Sequence, residues 1–291
     1  MAASKKSRTS STRKRAPKSV VSGRAAAQAG VSATTAPRRV MVIIHGAGSF
    51  ASDYYKPFVA AIQQRLGAPF NYIPVYYADI TNPPAGIAPM TTPVDSPDKA
   101  KFKQDLTAEM QRAYDAQSPA RSAVGIAASG GAVGAIGLVQ IIVKEVGDYL
   151  FAPAIAAQIQ ARLIAGLDQA AQQYDEIVLA TLSLGSVVTF DVFKQMGNRY
   201  NVSYFFSTGC PLAKLVRVGV RSSDLGEITP SDVAHWYNLY DTHDIIADAI
   251  GPQFPDYRLH DIYVQVGDDP ISAHDYFNNG ETLDLIADSM R

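Results

Sequence analysis

Cysteine is almost missing from this chain: Cys210 is the only one in 291 residues. That excludes an intramolecular disulfide and a cysteine-based metal site. It fits a reducing, cytoplasmic setting. The five histidines (His45, His235, His243, His260 and His274) show no H-E-x-x-H spacing, so neither a metal nor an organic cofactor is implied. The basic N-terminal residues are not followed by an apolar run, so no secretory signal peptide is expected. No internal repeat is visible. Acidic side chains are absent from residues 1–39, which carry ten basic ones. Against a net charge of −1 for the whole chain, this leaves −11 on the remainder.

Residues 1–37 also have almost no large apolar side chains. Such a segment cannot bury enough surface to offset its ordering entropy, and it reads as a disordered basic arm. The arm suits a phosphate- or membrane-binding segment, a nuclear-type signal or a transit peptide, and equally a solubilising tail. Charge is missing again from residues 122–143, 22 positions between Arg121 and Lys144. That length meets the crude threshold for a membrane span. Five glycines moderate its apolarity, and a span would interrupt a soluble fold between two strands. A mobile apolar flap or a membrane-touching helix is therefore preferred, with Gly130 and Gly134 spaced for close helix packing.

The chain is 47% hydrophobic, enough for a sizeable core. Val40–Ile44 is five consecutive apolar residues, mostly β-branched, and reads as a strand buried on both faces. A helix is expected from Asp53 to Leu66, closed by Gly67. Further strands are expected at Tyr72–Tyr77, Glu176–Leu182, Ser203–Gly209, His235–Tyr240 and Asp261–Val266. Helices are expected at Pro153–Gln172 and Val187–Met196. The proline-rich residues 79–98 read as a surface excursion. Alternating strands and helices point to an α/β fold, a mostly parallel sheet with helices on both faces.

The strongest local signal is Ile177-Val178-Leu179-Ala180-Thr181-Leu182-Ser183-Leu184-Gly185-Ser186. A buried strand runs into a serine and then a helix, the pattern of a nucleophile elbow. Small residues are needed two positions either side of the serine, where backbone crowds. Gly185 meets this on one side, and Thr181 stands where Gly is usual. The other reading is an ordinary turn in which Ser183 or Ser186 caps the helix. His45-Gly46-Ala47-Gly48 follows the first strand. Acyl transfer needs preorganised N–H donors for the negative charge that develops on the carbonyl oxygen. Leu184 and Ala47 are the expected oxyanion donors, with Gly48 second to Ala47. His45 reads as a brace for this loop.

A serine hydroxyl becomes an effective nucleophile when a base takes its proton, and a carboxylate orients that base. In the order nucleophile, acid, histidine, the acid should follow the His235–Tyr240 strand. Asp241 and Asp244 compete for that place. His274 fits a late loop beyond a further strand, whereas His260 precedes that strand. Cys210 reads as a small packed residue.

These segments resemble bacterial lipase-like α/β-hydrolases, in the serine esterase/lipase superfamily. The likeness rests on the His45-Gly46 strand end, Asp148-Tyr149-Leu150, and the Ser183-Leu184-Gly185-Ser186-Val187-Val188 elbow. It continues in Ser207-Thr208-Gly209-Cys210-Pro211-Leu212, in Trp236-Tyr237-Asn238 leading to Asp244, and in His274-Asp275-Tyr276-Phe277. It covers roughly residues 40–280 in separated pieces. The resemblance implies an α/β-hydrolase domain over 38–291, with a cap- or flap-like insertion at 79–145. It implies a serine esterase or lipase with the triad Ser183, Asp244 and His274, and prefers Asp244 over Asp241. Thr181 is the main departure from the family pattern.

The expected activity is hydrolysis of a small-molecule or lipid ester through an acyl-enzyme. The alternative is a catalytically silent protein of the same fold that binds or tethers at a membrane, since fold does not fix function. Peripheral membrane contact would run through the basic arm and residues 122–143. The −11 remainder repels phosphates, and no aromatic residues interleave the basic run, which argues against nucleic acid.

Overall fold

Strand β1 (Arg39–Ile44) shows in miniature how the fold is held together in this computed structural model, which describes residues 37–83, 95–117, 132–221, 233–254 and 258–291. Side chains alternate across a strand. Val40, Val42 and Ile44 enter one apolar cluster, and Met41 and Ile43 enter another on the opposite face. All five are fully buried. A strand covered on both faces has no polar alternation to show, which is why its sequence is a continuous apolar run.

Helix α1 (Lys56–Leu66) ends at Gly67 in the left-handed conformation, φ 68°. It starts three residues later than expected, because residues 52–55 form a turn and Pro57 lies in the first helical turn. Strand β2 (Asn71–Val75) stops two residues short of Tyr77. The N–H of Tyr77 turns away from the ladder and donates to His45 Nε2. Four helices follow: α2 (Ala78–Thr81), α3 (Pro97–Gln117), α4 (Ala132–Phe151) and α5 (Pro153–Gln173). Strand β3 (Glu176–Leu182) runs straight into α6 (Leu184–Met196). Then come β4 (Val202–Thr208), the short α7 (Leu212–Arg217), β5 (Val233–Tyr240) and β6 (Leu259–Tyr263). Two 3₁₀ turns, Ser272–His274 and Tyr276–Asn278, precede α8 (Gly280–Asp288).

The six strands form one sheet in the order β2-β1-β3-β4-β5-β6, with every pair parallel. Helices α3 to α7 cover the face that receives Val42 and Leu179. Helices α1 and α8 cover the face that receives Ile43 and Val178. The α/β expectation is met, and the sheet is wholly parallel. From β1 the chain winds one way to β2 and the other way through β3 to β6. Crevices at such a reversal, beyond the carboxyl ends of the strands, are where open parallel sheets bind ligands.

Two expectations are corrected. Strand β6 spans Leu259–Tyr263 and not Asp261–Val266, so His260 lies inside it, opposite Tyr237. The N–H groups of Val266 and Gly267 leave the sheet to donate to the Asp241 carboxyl group. Helix α6 begins at Leu184 and not Val187, directly after the serine. Where the 79–145 segment is described, it packs on the sheet. Phe102, Leu106, Met110 and Tyr114 of α3 and Val139, Ile142 and Val143 of α4 belong to the larger core cluster. Residues 84–94 and 118–131 lie outside the described residues, and so does most of the basic arm, at 1–36. Among the described residues, no single helix is long and apolar enough to cross a membrane, and α4 and α5 meet at a bend of 95°.

Candidate active site

Ser183 follows the last residue of β3 with φ 51° and ψ −121°. Among the described residues it is the only non-glycine with a left-handed φ. That conformation costs an ordinary side chain on the order of 1–3 kcal/mol and persists only where the surroundings impose it. Here they do. The N–H of Ser183 is tied to Thr208 O at 2.8 Å, and its carbonyl oxygen accepts from the N–H of Ser186 at 3.0 Å. The residue occupies the N-cap position of α6, yet its side chain makes no capping hydrogen bond. The plain capping reading of this serine therefore fails, and its Oγ is left unspent.

The turn fits only because glycines face it. A Cβ on Gly185 would lie 2.4 Å from His45 O, and a Cβ on Gly46 would lie 2.7 Å from Ser183 Cβ. The loops after β1 and β3 thus touch backbone to backbone. Thr181 Oγ1 donates to Phe206 O at 2.8 Å and sits 2.7 Å from Ser186 Oγ, so the hydroxyl is fully used between β4 and α6.

The loop after β1 is fixed from below. Tyr77 N–H donates to His45 Nε2 at 3.1 Å, which leaves the ring proton on Nδ1, 2.8 Å from Gly46 O. Burial lowers the His45 pKa to about 4, so this ring is neutral. The Tyr77 hydroxyl also reaches Gly46 O, at 2.9 Å. A planar trans peptide points its N–H opposite its C=O. Pinning Gly46 O therefore aims the N–H of Ala47. Among the described residues no hydrogen bond takes up the N–H of Ala47 or of Leu184. Gly48 is spoken for, since its N–H donates to Glu145 Oε1 at 3.1 Å. Ala47 and Leu184 thus keep free N–H donors near Ser183. Leu184 also opens α6, whose N-terminal end favours negative charge.

Asp241 and Asp244 separate cleanly. Asp244 Oδ2 accepts from His274 Nδ1 at 2.8 Å and from the Tyr276 hydroxyl at 3.0 Å, and its Oδ1 accepts from Ile246 N–H at 2.8 Å. Asp241 takes the N–H groups of His243, Val266 and Gly267, and its Oδ1 also lies 3.1 Å from His243 Nδ1. It staples the loop after β5 to the chain leaving β6. Burial pushes the Tyr276 phenol well above its usual range, which keeps it a hydrogen-bond donor to Asp244.

The His274 ring sits over the end of β4. A Cβ on Gly209 would lie 2.8 Å from its Cε1 and 3.0 Å from its Nδ1. Gly209 directly follows Thr208, the residue that holds Ser183 N–H. The imidazole therefore lies over the end of β4, whose neighbour β3 leads into the serine. Ser183 Oγ is buried and forms no hydrogen bond among the described residues, so the contact between serine and imidazole is not made in this conformation. Such contacts often tighten only when substrate is bound.

The surrounding polar groups hold these loops. Trp236 Nε1 donates to Ser207 Oγ, Ser207 Oγ to Asn238 Oδ1, and Asn238 Nδ2 to Asp261 Oδ1. Asp261 in turn accepts from the N–H groups of Ile250 and Gly251. Cys210 is buried, and its thiol pKa is pushed up to about 12 by that burial, so it cannot serve as a thiolate. Among the described residues no group of His, Cys, Asp and Glu side chains could hold a metal ion.

Sequence reading did not single out Tyr77, Gly209, Tyr276 or Glu145 for any role at the site. Gly209-Cys210-Pro211 after a strand was a signal for a tight strand end. Tyr77 and Glu145 carry no local signal, since their partners come from distant segments. A scan against protein-family models finds no match for this chain, and a search of curated proteins finds none either.

Proposed function

We propose that this protein is a serine hydrolase of α/β-hydrolase architecture that cleaves carboxylic esters. The observation that carries the reading is Ser183 itself. It is a buried serine in a backbone conformation that costs free energy, with no capping duty and an unspent hydroxyl. The reading is supported by the place of Ser183 at the end of β3, beside the reversal of strand order, by the unbonded N–H of Leu184 that follows it, and by the Asp244–His274 contact.

In this reading Asp244 keeps the proton of His274 on Nδ1, which leaves Nε2 to act as base. As Nε2 takes the hydroxyl proton, Ser183 Oγ attacks the ester carbonyl. The N–H groups of Leu184 and Ala47 receive the oxyanion, each contribution being worth about 10²–10³ in rate. His274 then returns the proton to the departing alkoxide, leaving an acyl-enzyme. Water, deprotonated by the same nitrogen, attacks the acyl carbon; the acyl–Oγ bond breaks, His274 returns the proton to Ser183 Oγ, and the acid leaves. Thioesters and amides could enter the same sequence of steps.

The second reading is a catalytically silent binding or tethering protein on the same framework. It is favoured by one observation, the missing hydrogen bond between Ser183 and His274. The test is hydrolysis of p-nitrophenyl esters from short to long acyl chains, with Ser183→Ala as control. Turnover by the wild type, and none by the variant, supports the hydrolase. A folded wild type without turnover on any ester supports the silent protein.

A further inference from the structure

Glu145 lies on α4 and is 2% exposed. A buried acidic side chain is costly unless its oxygens are hydrogen-bonded. Its Oε1 accepts from the N–H of Gly48 at 3.1 Å and from Asn82 Nδ2 at 2.7 Å. Its Oε2 has no partner among the described residues. Core packing gives no reason for this residue. Ile142, Val146 and Tyr149 of the same helix are buried, and an apolar side chain at 145 would remove an unsatisfied oxygen.

The bond to Gly48 gives a reason. Gly48 O accepts from Phe50 N–H at 3.1 Å within the loop and from Asn82 Nδ2 at 3.3 Å, so the N–H of Gly48 is held by α4 and its carbonyl by the loop and Asn82 together. They hold it at φ 127°, a conformation that L side chains rarely adopt. Gly48 follows Ala47, and the peptide before Ala47 is held by Tyr77 and His45. Ala47 thus sits between two clamps, one from the β1–β2 side and one from α4, which is 97 residues further along the chain.

We propose that Glu145 is a positioning residue: acting through Gly48, it sets the aim of the Ala47 N–H at the carbonyl that Ser183 attacks. The inference rests on the hydrolase reading above. It assigns Glu145 no contact with substrate.

The experiment compares wild type, Glu145→Gln, Glu145→Ala and Asn82→Ala on one ester. Each kcat is taken per site titrated to completion with a fluorophosphonate, so that misfolded molecules do not count. Gln keeps an oxygen for Gly48 and puts its nitrogen where no bond existed. Glu145→Ala should lower kcat by about ten- to a hundredfold, with KM little changed, because a small misplacement of a reacting group costs about that much. Glu145→Gln should restore most of the loss, and Asn82→Ala should fall in the same direction. A Glu145→Ala kcat equal to wild type overturns the proposal, as does a Gln variant as slow as Ala or a loss confined to KM. If Glu145→Ala does not fold, an unchanged per-site kcat in Asn82→Ala overturns it. A wild type that neither labels nor turns over removes the hydrolase reading and this inference together. A labelled wild type beside an unaffected Glu145→Ala removes this inference alone.

Discussion

Asp244 Oδ2 lies 2.8 Å from His274 Nδ1, while Asp241, three residues earlier and fully buried, gives Oδ2 to the N–H groups of Val266 and Gly267 beyond β6 and Oδ1 to His243 in its own loop. Two carboxyl groups on one short loop therefore sit differently, one on the His274 ring and the other tying the loop to the chain that leaves β6; in the proposed mechanism only Asp244 orients the base. Their substitutions should part accordingly. Asp244→Ala should lower kcat by about 10³–10⁴-fold with a modest change in stability. Asp241→Asn should lower stability by about 1–3 kcal/mol, because it weakens buried hydrogen bonds. Its kcat per folded molecule should stay much closer to wild type. Ester turnover and urea unfolding on both variants check the split. Equal kinetic losses would contradict it.

The His45 ring makes stability depend on pH. Its folded-state pKa, about 4, lies below the ordinary histidine value of 6.5 because the ring is buried. Below pH 6.5 the unfolded chain takes up a proton that the folded chain refuses. The stabilisation is complete above pH 6.5 and is lost as pH falls towards 4. At full extent it amounts to about 3 kcal/mol. Urea unfolding from pH 7 to pH 4 should show this loss in wild type, and His45→Gln should lack that part of the slope. Parallel curves for the two proteins would show that the ring does not titrate this way.

Gly209 is expected to be intolerant for two separate reasons. Its φ is 60°, and its missing side chain leaves the space that the His274 ring occupies. Gly209→Ala should cost about 1–2 kcal/mol in stability from backbone strain alone. It should also displace the imidazole and slow fluorophosphonate labelling of the molecules that remain folded. Labelling at the wild-type rate would mean that the ring has room to move, against the close contact described above.

Thr181 departs from the usual glycine of a nucleophile turn, and the structure gives the departure a function in stability. Thr181→Val keeps the shape and removes the hydroxyl that serves Phe206 O and Ser186 Oγ. The expected loss is about 1–3 kcal/mol, read as a lower urea midpoint, with kcat nearly unchanged. A large fall in kcat with unchanged stability would instead tie Thr181 to the reaction.

The buried strands were legible in the sequence because a doubly covered strand carries its own signature, as Val40–Ile44 and Glu176–Leu182 do. The serine turn was legible for a related reason, since Ser183 and Gly185 answer to local crowding. Helix α3 was not. Its buried face includes Lys99 and Glu109, which look solvent-exposed until Asp148 and Arg217 are found to pair with them. Helix α8 carried a readable start, since Asn279 accepts from Thr282 N–H at 2.9 Å in a capping bond, but the segment is short. The choice between Asp241 and Asp244 could not be made from spacing. It depends on Tyr276 and on the chain after β6, which reach the loop only in three dimensions.

The central claim is that the hydroxyl of Ser183 is the nucleophile. Fluorophosphonate treatment of the folded protein, followed by mass-spectrometric mapping of the adduct, tests it most directly. The account predicts one adduct, on the peptide that carries Ser183, absent from Ser183→Ala and strongly slowed in His274→Ala. A folded wild type that stays unmodified, or an adduct that persists in Ser183→Ala, would contradict it.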